Sequence, residues 1–339
     1  MLKARKDEHL SVILNDLQKS TTKTTGFESI DFVHCALPEM HLDGIDLHTT
    51  FLGKRISAPV LVSSMTGGPE RAALINENLA RACEAMSLPF AVGSQRVAIE
   101  EDGRGGLGRK LRTLAPSVPI LGNLGAAQLN RGFGLDEAKR CVEMIDADGL
   151  YIHLNPLQEA VQPEGDRDWS GLFDKIVKLA EGLSVPVAVK EVGSGISGAL
   201  AKRLFESGVA IIDVAGAGGT NWAAVEAARM DDPQKARLAN AFSDWGIPTA
   251  VAVAEARVAC PKATIIASGG IKSGIDIAKA IRLGADMAGQ AAGLLQAANT
   301  SADVLAAHFE AVIQELRISC FCTGARDLEA LRTVPIRTP

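Results

Sequence analysis

Gly149-Leu150-Tyr151-Ile152-His153-Leu154-Asn155 sets Leu150, Ile152 and Leu154 against Tyr151, His153 and Asn155, an alternation with the period of a β-strand whose two faces meet different surroundings. Pro156 ends the strand, and a polar loop then holds Gln158 and Glu159 just past its C-terminal edge. A strand edge of His, Asn, Gln and Glu has the composition of a ligand-holding wall. Outward from it, apolar runs recur at 59–65, 89–93, 119–123, 186–191, 209–214, 263–268 and 285–290, eight with the first. Helical patterns follow at 69–86, 136–147, 168–181, 196–207, 249–260, 274–283 and 301–318, and the second connection, around 104–115, is the weakest.

Alternating β and α leaves two architectures, an open doubly wound sheet and a closed eightfold barrel. Eight units favour closure. Polarity does too: central strands of an open sheet are buried on both faces, whereas Ser63, Asn123, His153, Asn155, Lys190 and Asp213 fall on alternate positions near strand ends. The expected fold is α/β, a (β/α)8 TIM barrel over residues 58–339 with residues 1–57 as an N-terminal extension packed on it. Residues 216–248 read as a loop over the barrel mouth, anchored by Trp222 and Trp245.

The 339 residues are 47% hydrophobic and 22% charged, a composition that supports a large buried core. A net charge of -5 argues against a general nucleic-acid surface, so any anion site must be a local cluster of Arg and Lys. Six cysteines without framework spacing, and an N-terminus without an apolar signal core, point to free thiols and a cytoplasmic protein. The longest apolar stretch, 285–298, is broken by Asp286, Gln290 and Gln296, so no membrane span is expected.

Ser268-Gly269-Gly270-Ile271-Lys272-Ser273-Gly274 ends the seventh run and opens a helix, so bare N–H groups and a helix N-terminus converge on a spot that suits phosphate. Gly289-Gln290-Ala291-Ala292-Gly293 follows the eighth run with small residues, as phosphate-binding barrels often have there; a tight turn needing glycine is the alternative. Gly103-Arg-Gly105-Gly-Leu-Gly108 matches the dinucleotide fingerprint in letters only, since it does not directly follow a strand and no acidic residue stands about twenty positions on. Arg96, after the second run, and Arg5-Lys6 are candidates for a second anion clamp, against a solvated tail for the latter pair. Lys190 is open to three readings: Schiff-base nucleophile, ion-pair partner, or cation beside an electron-rich ring. No His or Asp near Glu159 in sequence completes an all-protein cage, which leaves Mg²⁺ held mainly by substrate phosphates and water, or a solvated carboxylate. His34, His41 and His48 lack a helical pattern that would gather them on a metal, and Cys320 and Cys322 read as packing.

In this order the stretches resemble the type 2 isopentenyl-diphosphate isomerases, FMN-dependent enzymes of isoprenoid synthesis. The resemblance runs from Arg5-Lys6-Asp7-Glu8-His9 to Thr323-Gly324-Ala325. Its most specific stretch is His153-Leu-Asn155-Pro-Leu-Gln158-Glu159-Ala-Val-Gln-Pro-Glu-Gly-Asp166, with Ser64-Met65-Thr66-Gly67-Gly68, Ser94-Gln95-Arg96, Gly218-Gly219-Thr220-Asn221-Trp222 and Ser268-Gly269-Gly270 in order. It implies a barrel that interconverts isopentenyl and dimethylallyl diphosphate with reduced FMN, Mg²⁺ and NADPH as reductant, and a homotetramer or larger homo-oligomer. Carried onto matching positions, Ser64, Met65, Thr66, Ser94, Asn123, Lys190, Thr220, Gly270, Ile271, Lys272, Ala291 and Ala292 would hold FMN. Arg5, Lys6, Ser94, Gln95, Arg96 and Gln158 would contact substrate, and Glu159 would reach Mg²⁺. The implied catalytic set is Gln158, His153, Asn155 and Lys190, with His153 and Asn155 positioning the diphosphate.

The chemistry agrees with a flavin. Carboxylic and imidazolium acids are weak donors to an unactivated alkene, whereas a reduced flavin is electron-rich and, by the resemblance, donates the proton from its N5 region. Gln158 is a poor base, so the group that removes the second proton is left open. A flavin oxidoreductase on a similar barrel is the first alternative, although 215–220, Ala-Gly-Ala-Gly-Gly-Thr, holds no His or Cys. A Lys190 Schiff-base lyase is the second.

Overall fold

The computed structural model describes residues 8, 9, 12, 22–64, 70–100 and 107–337, and every one of the eight apolar runs contributes a strand to a single closed parallel barrel. The strands are β1 (Val60–Val62), β2 (Phe90–Ala91), β3 (Ile120–Gly125), β4 (Gly149–His153), β5 (Val187–Lys190), β6 (Ile211–Asp213), β7 (Thr264–Ser268) and β8 (Met287–Gln290). They neighbour one another in chain order, and β8 closes on β1 with Ala288 opposite Val60. Around them run α1 (Glu70–Met86), α2 (Lys110–Leu114), α3 (Leu135–Ile145), α4 (Leu172–Gly182), α5 (Gly198–Glu206), α6 (Thr249–Ala259), α7 (Gly274–Arg282) and α8 (Ala302–Thr323). The connection with the weakest helical pattern carries the shortest of these eight helices, α2.

Alternation assigns each strand residue to one of two cores. Leu150 and Ile152 join the large cluster between strands and helices, whereas Tyr151 joins Leu61, Ala91, Leu121, Ala188, Ile211, Ile266 and Met287 inside the barrel. Phe51 and Ile56 complete that inner cluster from below. They belong to a hairpin, Thr49–Phe51 paired with Lys54–Ile56, whose turn residues Leu52 (φ 48°) and Gly53 (φ 77°) are both left-handed, as a two-residue turn between twisted strands requires. The hairpin stoppers the bottom of the barrel, so the lumen opens only at the strands' C-terminal end.

Two buttresses of one design brace the bottom. Asp148 accepts from Ile120 N at 2.8 Å and Arg112 at 2.6 Å, and Asp286 accepts from Ile265 N at 2.9 Å and Arg257 at 2.6 Å. Each arginine also donates to carbonyls at loop ends, among them Val118 O and Ala263 O. They tie β3 to β4 and β7 to β8.

Three local expectations need correction. The stretch after Pro156 is a short helix, Pro156–Val161, because proline is well suited to a first helical turn. Residues 216–248 carry two helices, Trp222–Ala227 and Pro233–Asn240. Within them Trp222 lines the mouth, but Trp245 is 61% exposed and its ring meets only the edge of Phe242, so it anchors nothing.

Candidate active site

One turn above the apolar lumen the same inward positions become polar. Registration sets His153 beside Lys190, and Lys190 beside Asp213. Asp213 is fully buried and accepts from Tyr151 Oη at 2.9 Å and Ser268 Oγ at 2.6 Å. Lys190 is 5% exposed and donates through Nζ to Glu191 O at 2.5 Å. Burial pulls the Lys190 pKa down, while the charges of Asp213 and Glu191 push it back up. Burial likewise raises Asp213, against the Lys190 charge and the two hydroxyls. His153 Nδ1 pairs with Asn123 Oδ1 at 2.8 Å. This rung is the floor of a cavity of about 930 Å³, within the size range of small-molecule sites.

The β2–β4 side of the cavity is built from side chains held by carboxylates. Arg96 lines it, donating through Nε to Glu100 at 2.9 Å, with Asp166 3.6 Å from its other arm. Arg131 pairs with the other oxygen of Asp166. Asn155 donates to Gln158 Oε1 at 3.1 Å and to Glu159 Oε1 at 3.0 Å. The second oxygen of Glu159 accepts from Asp166 N at 2.7 Å and from Gln162 at 3.3 Å. No trio of His, Cys, Asp and Glu able to hold a metal exists among the described residues. A carboxylate on the cavity wall such as Glu159 fits a cation whose other ligands are phosphate and water. His34, His41 and His48 all lie on the exposed surface.

The β6–β8 side is built from backbone. Gly269 (φ 98°) and Gly270 (φ 74°) adopt the left-handed conformation, and a Cβ on Gly219 would lie 2.4 Å from Gly270 N, so the loops after β6 and β7 touch without side chains between them. The N–H groups of Gly270, Ile271, Ala291 and Ala292 meet no acceptor among the described residues. The α7 terminus is not bare, contrary to expectation. Asp276 accepts from Lys272 N and Ser273 N at 3.0 Å each, forming a capping box with Ser273, and Glu315 of α8 accepts from Gly274 N at 2.7 Å.

Most sequence-derived candidates meet here. Ser64, Ser94, Arg96, Asn123, His153, Asn155, Gln158, Glu159, Lys190, Thr220, Gly270, Ile271, Lys272, Ala291 and Ala292 all line the cavity. Gln95 does not. It is fully buried, donating to Cys141 O at 2.8 Å and accepting from Asn123 N at 2.8 Å, because β2 ends at Ala91 and the turn into helix Arg96–Glu100 points its side chain toward α3. Gln95 therefore supports Asn123 rather than touching a ligand. Arg5, Lys6, Met65 and Thr66 lie outside the described residues, as does most of the glycine loop at 103–108.

Sequence reading missed a cluster behind Gln158. Glu226 is fully buried and accepts from Gln158 Nε2 at 3.0 Å, pairs with His9 Nε2 at 2.8 Å and receives Arg229 at 2.6 Å. Burial raises its pKa, but these partners outweigh burial and leave it lowered, an anion at neutral pH. Arg229 also reaches Glu8 at 2.7 Å, so the cluster ties the start of the chain to the mouth. No local pattern signals a contact spanning 217 residues.

A flavin mononucleotide suits this donor set. Ser63 Oγ, Ser64 Oγ and Asn155 Oδ1, three of the four buried side-chain polar atoms that lack a partner among the described residues, belong to cavity-lining residues, and buried polar atoms normally find partners. The free backbone amides at the β7–β8 end fit a phosphate, and Asn123 and Lys190 offer polar groups at the floor.

Comparison with known proteins agrees on the class first. Residues 154–338 match the family model described as FMN-dependent dehydrogenase. The fold resembles that of a mutant mandelate oxidase with a monooxide FMN adduct, at a TM-score of 0.68 and 16% identity over 95% of this chain and 92% of that one, a likeness of fold alone. Within the class, the chain is 57% identical to the isopentenyl-diphosphate delta-isomerase of Stutzerimonas stutzeri over 98% of this chain and 96% of that protein. It is also 57% identical to the isopentenyl-diphosphate delta-isomerase of Xanthobacter autotrophicus, over 98% and 97%. The chain belongs to the isopentenyl-diphosphate delta-isomerases of the FMN-dependent dehydrogenase family.

Proposed function

We propose that this protein interconverts isopentenyl and dimethylallyl diphosphate by a 1,3 proton shift, with reduced FMN and Mg²⁺ bound in the cavity and NADPH as the reductant. The single observation that supports this reading is that one cavity joins a glycine-walled end, with backbone amides unpaired among the described residues, to an end lined by Arg96, across a buried floor that carries Lys190. The glycine-walled end suits the cofactor phosphate, with Ser64, Thr220, Gly270, Ile271, Lys272, Ala291 and Ala292 around the nucleotide, and Met65 and Thr66 added from the adjoining segment. Ser94, Asn123 and Lys190 would hold the ring. When bound, the reduced flavin supplies an electron-rich ring and a proton donor suited to an alkene.

The chain's own groups do the rest. Burial lowers the Lys190 pKa while the charges of Asp213 and Glu191 oppose it, and in its protonated form Lys190 would favour negative charge on a reduced ring. Arg96 and His153, with Arg5 and Lys6 from the N-terminus, hold the substrate diphosphate, and Glu159 shares Mg²⁺ with it. Asn155 bonds both Gln158 and Glu159 and so holds them in one geometry, which would orient the five-carbon chain for gain of a proton at one end and loss at the other. We further propose a cytoplasmic homotetramer or larger assembly; no helix among the described residues is long and apolar enough to cross a membrane.

The test is direct. The purified protein should be yellow, bleach on dithionite or NADPH, and equilibrate the two C5 diphosphates only when reduced and supplied with Mg²⁺. A colourless protein, or one equally active oxidised, would overturn the reading.

A further inference from the structure

The glycines of the backbone-built end have a second neighbour. A Cβ on Gly218 would lie 2.2 Å from Thr25 N, and one on Gly270 would lie 2.5 Å from Thr25 Cγ2. Both positions are left-handed as well, at φ 109° and 74°, so glycine is required there by a crossing segment and by the backbone together. That segment is a strap fixed at three points. Asp244 accepts from Thr22 N and Thr22 Oγ1 at 2.7 Å each and from Lys23 N at 2.9 Å. Ala250 N donates to Thr25 O at 2.9 Å, and Lys279 Nζ donates to Phe27 O at 2.8 Å.

Lys23, Thr24 and Thr25 line the cavity, so the strap is a third wall beside the loops after β6 and β7. The charges at this end make Lys23 matter. Glu28 and Asp276 also line the cavity, and among the described residues Lys23 and Lys272 are the lysines that line it near them. Glu28 accepts from the Thr24 hydroxyl, and Asp276 is committed to the α7 cap. Two lysines against two carboxylates leave no net positive charge, and backbone amides add none. A phosphate dianion here depends on both cations.

We propose that residues 22–28 are part of the cofactor site, closing its phosphate end and bringing Lys23 to the phosphate monoester of the flavin nucleotide, an inference that rests on the FMN reading above. The N-terminal region then serves two ligands: Arg5 and Lys6 the exchanging diphosphate, Lys23 the retained cofactor.

Full-length protein stripped of flavin and titrated with FMN and with riboflavin tests this by fluorescence quenching. Riboflavin lacks only the phosphate, so the ratio of the two affinities reads the phosphate end alone. Lys23→Ala should lower that ratio about tenfold through the FMN affinity, with riboflavin binding held within about twofold, and Lys23→Arg should restore most of it. Asp244→Ala, which touches the strap and does not line the cavity, should lower the ratio in the same direction by about threefold. A wild-type preference for FMN that survives Lys23→Ala, or a loss shared equally by riboflavin, overturns the role of the strap while leaving the cofactor reading intact. A wild-type protein that binds both alike, or neither, overturns the cofactor reading and the strap with it.

Discussion

At the β7–β8 end of the cavity the anion donors are backbone amides and lysines, whereas at the β2–β4 end they are side chains already engaged with carboxylates. Gly270, Ile271, Ala291 and Ala292 present N–H groups that cannot rotate away or titrate. Arg96 sits between Glu100 and Asp166, and Gln158 between Asn155 and Glu226. A rigid set loses little entropy when a ligand binds and suits a group that stays. A set with resident partners can trade them for a diphosphate and take them back, which suits a ligand that leaves at every turnover. On the proposed function, this difference in donor type would set residence time, long for the cofactor and short for the substrate.

The sharpest way to break this contrast is Gly270→Ala. The new Cβ would meet Gly218 O and Thr25 Cγ2 at 2.5 Å each, at a φ of 74°, and FMN affinity should fall about a hundredfold or more. Retention of bound flavin through purification of this variant would show that the backbone end does not hold the cofactor. Arg96→Ala tests the other end: KM for the C5 diphosphate should rise about thirtyfold, as for a lost charge-assisted contact on a part-exposed arm, with FMN affinity unchanged. Parallel loss of flavin would erase the distinction between ends. Glu159→Gln should raise the Mg²⁺ concentration for half-maximal turnover about tenfold, since the amide keeps the shape and drops the charge. An unchanged Mg²⁺ titration would remove Glu159 from the metal site.

Legibility in the sequence follows the same contrast. The barrel and its rung of polar residues were readable because alternation is a local signal: Tyr151 and His153 announce one face within a single strand, and Asn155 follows just past its end. The glycine loops stand out in the sequence as a candidate phosphate site, yet for an incomplete reason. The sequence suggests a bare helix terminus, whereas Asp276 and Glu315 cap α7 and the amides that remain belong to Gly270, Ile271, Ala291 and Ala292. Gln95 enters only through the resemblance of its motif, which does not say which way each side chain points; it lies past the end of β2 and turns inward to Cys141 O and Asn123 N. Glu226 and the strap at 22–28 were invisible, since each acts through a contact to a residue more than 200 positions away, His9 and Asp244 respectively. A local pattern cannot encode a meeting of that kind; only closure of the barrel brings the ends together.

The smallest expected effect concerns His308, which lines the cavity and contacts Gln290 Oε1 at 3.2 Å. Burial lowers its pKa below the ordinary 6.5, with Glu315 opposing. Between the folded pKa and 6.5 the unfolded chain binds more protons than the folded one, so stability rises with pH through that window and is lost as pH falls below 6.5. His308→Gln keeps an amide within reach of Gln290 and removes the titration. In flavin-free protein its melting temperature should therefore fall less than the wild type's between pH 7 and pH 5, by roughly 1–3 °C. If the two proteins lose stability in parallel, His308 is not the group that couples the cavity wall to acid. If instead FMN affinity itself changes steeply over that range in the wild type and not in the variant, the backbone-built end relies on a titrating side chain after all, and the contrast with the β2–β4 end narrows.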